Sequence, residues 1–144
     1  MLIINERTSE VLAREVEIAD TRASRRRGLL GRDSLDASCA LLLSPCFAVH
    51  TAFMRFAIDV VFVDREGRAV RIVNGLSPWR MAVALRARAV IECAAGELRA
   101  RDVRVGDRLY LAPAVPEGRG AVSASSSRLD NSLRTASKPA CSGS

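Results

Sequence analysis

Aromatics, histidine and lysine are scarce in this sequence. Four Phe, one Trp and one Tyr make up 4% of the 144 residues. That is too few for a base-stacking platform. His50 is the only histidine. No glycine-flanked nucleophile turn surrounds Cys46, so a Cys46–His50 nucleophile–base pair lacks its usual setting. The cysteines at 39, 46, 93 and 141 form no Cys-x-x-Cys pair, and Cys141 lies in a tail. Their even number is thin ground for disulfides. Long apolar runs are also missing. The longest, Ala40 to Met54, is broken by Ser44, Pro45, His50 and Thr51, too short and too interrupted to span a bilayer. Met1-Leu2-Ile3-Ile4 runs straight into Asn5-Glu6-Arg7, without the pattern of an export signal. The expectation is a cytoplasmic protein with reduced thiols.

What is abundant is aliphatic and arginine. Apolar residues make up 49%, enough for the core of one domain. The net charge is +6, and Lys138 is the one lysine among 22 basic residues. Arg25-Arg26-Arg27 is the only basic run; elsewhere arginines alternate with acids, as in Asp64-Arg65-Glu66. Nucleic-acid binding needs clustering. A solvated surface explains this pattern better, and weak binding through Arg25–Arg27 is a second alternative.

Short strands with turn signals dominate residues 1–114. Val16 and Ile18 alternate with Glu15 and Glu17, as in a half-buried strand. Asp20-Thr21 offers an N-cap for a short helix through Arg27 that ends at Gly28, with its arginines facing solvent. Ala40–Leu43 and Ile58–Val63 are continuous apolar runs of strand length. Ile58–Val63 is apolar on both faces except for Asp59, so it should be central. Asp64-Arg65-Glu66-Gly67 predicts a hairpin loop, with glycine at a positive φ. Ala69–Val73 returns, with Val70 and Ile72 inward. Ala87–Cys93 and Arg108–Leu111 complete the set, and Glu97–Asp102 suits one helical turn. The fold class is mostly β (α+β): a small curled sheet or partial β-barrel with one or two short helices. Residues 115–144, rich in Ser, Ala and Gly, should form a disordered tail.

Arg27-Gly28-Leu29-Leu30-Gly31-Arg32 opens an ordered series of motifs. Leu41-Leu42-Leu43, Pro45-Cys46, Val49-His50-Thr51 and Met54-Arg55-Phe56 follow. After Ile58–Asp64 and Gly67 come Pro78-Trp79, Ala89-Val90-Ile91-Glu92, Ala95-Gly96 and Val105-Gly106-Asp107. The series resembles the DUF192 family, also called UPF0127, over roughly residues 7–111. The resemblance implies a small β-rich fold and no established activity, and it carries no catalytic residues onto this chain. Ala52 stands where related sequences usually have an aromatic, and Ala57 where they usually have proline.

Cys46, His50 and Met54 are spaced by four and offer soft ligands. Extended at ~3.3 Å per residue they span about 26 Å, too far for one metal. Cys46 and Met54 are therefore read as core residues, and no metal or cofactor is expected. Asp59 and Glu92 each lie inside an apolar strand. Such acids must be paired, hydrogen-bonded, protonated or on an exposed face. They either line a ligand pocket or, for Asp59, pair with Arg55 or Arg80 to pin strand register. Trp79 is either a ligand-stacking wall or a lid on the barrel's open end. The preferred reading is a non-catalytic small-ligand-binding or accessory domain, its partner an unknown small molecule or protein. The ligand-binding residues would be His50, Arg55, Asp59, Trp79 and Glu92. A small hydrolase-like enzyme using Asp59 and Glu92 as acid and base is the alternative.

Overall fold

The computed structural model describes residues 1–115 and Cys141; the expectation of a disordered tail otherwise lies outside the described residues. Among the described residues there are ten strands and two short helices. They are β1 (Leu2–Asn5), β2 (Val11–Ala13), β3 (Glu15–Ala19), α1 (Arg22–Arg27), β4 (Cys39–Leu43) and β5 (Ala48–His50). Then come β6 (Ile58–Val63), β7 (Ala69–Leu76), β8 (Met81–Val83), β9 (Ala89–Ala94), α2 (Glu97–Ala100) and β10 (Leu109–Ala112). The main sheet has order β3-β4-β9-β6-β7, with β3 parallel to β4 and every other neighbour antiparallel. A three-stranded sheet β10-β1-β2 and a ribbon β5-β8 cover it. The fold is mostly β, and its sheets stay open rather than closing into a barrel.

Alternation in β6 builds two cores. Ile58, Val60 and Phe62 join Leu41, Leu43 and Val90 on one face, under Leu29, Val49, Met54 and Ala82. Val61 and Val63 join Ala40, Ile91 and Cys93 on the other, under Ile3, Leu12, Leu98 and Leu109. All six β6 residues are buried, as the continuous apolar run requires. Gly67 adopts φ +80°, and a Cβ there would collide with the Leu109 carbonyl oxygen, so the hairpin tolerates nothing larger. The return strand departs from simple alternation. Val63 faces Ala69 while Phe62 faces Arg71, so Val70 is a bulged residue. Val70 and Ile72 consequently enter opposite cores.

Thr21 caps α1 in a reciprocal pair with Ser24, and Gly28 ends the helix. The three arginines do not all face solvent: Arg25 is half-buried, while Arg26 and Arg27 are exposed. Cys39 and Cys141 form a disulfide across 102 residues of sequence. This corrects the expectation of reduced thiols at these two positions and removes its support for a cytoplasmic location. Among the described residues, no helix is long and apolar enough to cross a membrane.

Candidate functional site

Asp59 belongs to structure rather than to a site. It is fully buried. Its Oδ1 accepts the Gly75 N–H at 2.8 Å, and its Oδ2 accepts those of Gly96 at 2.9 Å and Leu98 at 3.1 Å. Gly96 is the N-cap of α2 and brings no capping side chain of its own. A carboxylate on β6 thus caps the helix from across the sheet and pins the end of β7. The expected arginine partners are absent: Arg55 is exposed and pairs with Asp33, and Arg80 offers its backbone N–H to Thr51.

Asp59 and Glu92 also point away from each other. In the antiparallel β6–β9 pair Asp59 faces Cys93, whereas Glu92 faces Val60. Directly opposite residues share a sheet face. Asp59 therefore lies on the Cys93 and Leu98 side and Glu92 on the Val60 and Leu41 side. An acid/base pair needs both groups on one cleft, and the sheet separates these two.

Glu92 faces a cavity of about 220 Å³. It is lined by α1 with the turn Gly28–Leu30, by Cys46, β5 and Met54, and by Leu43. His50 lines the same space, as do Arg22, Arg25, Arg26 and Arg27. Of the five residues expected to bind a ligand, His50 and Glu92 meet here, and Arg55, Asp59 and Trp79 do not. Trp79 is no lid. It is 61% exposed and stands against the still more exposed ring of Phe53 at 4.6 Å between centroids.

Cys46, His50 and Met54 converge on this cavity because the chain reverses after β5. The pivot is Thr51, which is fully buried. Its Oγ1 accepts the Arg80 N–H at 2.8 Å and donates to the Ser77 carbonyl at 2.6 Å. Its carbonyl accepts the N–H groups of Met54 and Trp79. Phe53 completes the turn at φ +64°, a conformation a bulky side chain rarely adopts. The 26 Å separation expected of an extended segment is thereby overturned. The residues missed as site residues are Cys46, Met54 and the α1 arginines. The fourfold spacing of the first two was visible; the turn that folds it was not.

The electrostatics are uneven. Glu92 is 5% exposed, and its Oε2 has no hydrogen-bond partner among the described residues. Burial pushes its carboxyl up to about 7, with Arg32 pulling weakly the other way. Burial also raises the Cys46 thiol, whose Sγ donates to the Ala48 carbonyl at 3.1 Å. A protonated, engaged thiol is a poor nucleophile, which argues against the Cys46–His50 pair. One group of His, Cys, Asp and Glu donors lies within a metal's reach among the described residues: Glu15, Cys39 and Cys141. Both sulfurs there are spent in the disulfide.

An open, mostly antiparallel β fold with one polar-floored cavity defines the class. The DUF192 family model, described as "Uncharacterized ACR", matches residues 3–111. The chain belongs to the DUF192 family. A UPF0127 protein of Pyrococcus abyssi is 36% identical over 112 residues, covering 75% of this chain and 95% of its own length. A UPF0127 protein of Pyrococcus horikoshii is 31% identical, covering 75% and 96%. A solved protein of unknown function from Novosphingobium aromaticivorans shares the fold, with TM-score 0.69 and 21% identity over 77% of this chain and 84% of that one. The family is uncharacterised, so these matches bring fold and kinship without an activity.

Proposed function

We propose that the chain is a small-ligand-binding or accessory module and that the Glu92 cavity is its binding site. The observation carrying this reading is the orphaned Glu92 Oε2. A buried acceptor without a donor costs about 1–3 kcal/mol. A protein keeps such a group where a ligand supplies the missing donor. The cavity has the ordinary make-up of a small-molecule site, with apolar walls and a few convergent polar groups. Its volume equals roughly seven waters at about 30 Å³ each, room for a small metabolite.

The test is a thermal-shift screen of small metabolites on the wild type and on Ala48→Phe, which fills the space from β5. A ligand at a hundred times its Kd adds about 2.7 kcal/mol to the native state. Compounds that stabilise the wild type and not Ala48→Phe support the site. Compounds that stabilise both equally bind elsewhere and defeat it.

A further inference from the structure

The lining of the cavity grades from buried to exposed: Glu92 and four apolar residues are buried, and Arg22, Arg26 and Arg27 are exposed. Its floor is the buried Glu92, whose Oε2 lacks a donor among the described residues. Its rim is α1, which brings Arg22, Arg25, Arg26 and Arg27 to the opening. Arg25 is already engaged, donating to the Asp20 carbonyl at 2.7 Å. Arg22 and Arg26 make no ion pair among the described residues. Leu29, Leu43, Val49 and Met54 supply buried apolar lining.

Building on the binding-site reading above, we infer that the ligand is a small zwitterion: a primary ammonium group at Glu92, a short aliphatic body, and a carboxylate at the arginine rim. Each part follows from the surface it meets. An unpartnered carboxylate needs N–H donors, and an ammonium brings three together with the compensating charge. A hydroxyl would bring the bond without the charge, leaving a buried carboxylate uncompensated. Arginines at a half-open mouth recognise planar carboxylates through paired N–H donors. The apolar lining suits methylenes. Burial that pushes Glu92 up to about 7 agrees with a site tuned to ionise when a cation arrives.

The experiment is isothermal titration of the full 144-residue chain at pH 8 with 4-aminobutyrate, 2-aminobutyrate, 4-hydroxybutyrate, butyrate and butylamine. At least one amino acid is expected to bind tenfold or more tightly than butyrate, 4-hydroxybutyrate and butylamine. Glu92→Gln should erase the preference for the amine. The double variant Arg22→Ala, Arg26→Ala, on the exposed helix, should weaken amino acid and butyrate alike. If butyrate or 4-hydroxybutyrate matches the amino acids on the wild type, the zwitterion inference is wrong while the cavity remains a binding site. If none of the five binds at 10 mM, the inference is also overturned, and the binding-site reading is then decided by the separate metabolite screen with Ala48→Phe.

Discussion

Glu92→Gln should stabilise the protein at alkaline pH and do so in a pH-dependent way. In the native state the carboxyl titrates at about 7, against an ordinary 4.5. Between those values the native protein holds a proton that the unfolded chain has released, so stability falls as pH rises. The contribution is fully present below about 4.5 and lost as pH rises through about 7. At roughly 1.4 kcal/mol per pH unit the whole effect is about 3 kcal/mol. Glutamine keeps the shape and stays neutral. Arg32 opposes the rise, and His50 and the α1 arginines share the cavity; the variant retains all of them, so the difference between the two proteins isolates the carboxyl. Urea unfolding followed by far-UV circular dichroism is the assay, because Trp79 is too exposed to report on the core. The advantage of Glu92→Gln should grow by about 3 kcal/mol between pH 4.5 and 8.5. Parallel pH profiles for the two proteins would refute a buried, unpartnered Glu92.

Three other outcomes follow from the same geometry. Asp59→Ala orphans three N–H groups at about 1–3 kcal/mol each and should cost about 3–5 kcal/mol by urea unfolding, with amide exchange fastest in α2. Asp107 accepts from Arg7, Asn5 and the Arg104 N–H, and Arg7 above all holds its carboxyl down to about 2. Its contribution, present above the ordinary 3.8, is lost as pH falls through about 2; Arg7→Ala should flatten this acid limb of the stability profile, by an amount that salt screening of the exposed guanidinium reduces. Non-reducing peptide mapping should recover Cys39 and Cys141 as one linked fragment, with Cys46 and Cys93 free.

The sequence made some of this legible. Continuous apolar runs located β4, β6 and β9, and Gly67 marked its hairpin, because burial and φ are set locally. Asp59 and Glu92 stood out as acids in apolar strands. Their roles diverged for reasons of tertiary structure: the partners of Asp59 are backbone N–H groups of α2 and β7, which carry no side-chain signature. The cavity was hidden because Thr51 and Phe53 give no turn signal of the glycine or proline kind. A bulge at Val70 reset the alternation of β7, and nothing in its local pattern marked the slip. The Cys39–Cys141 link closes 102 residues, a distance over which spacing says nothing.

Methionine methyl resonances test the site most directly. The chain has three methionines: Met54 in the cavity wall, Met81 exposed on β8, and Met1 at the terminus. With [¹³C-methyl]methionine-labelled protein, a small molecule that stabilises the wild type should shift Met54 and leave Met1 and Met81 in place, and it should no longer stabilise Ala48→Phe. Ligands that move Met81, beside the Phe53–Trp79 pair, and leave Met54 untouched would contradict a binding site at Glu92.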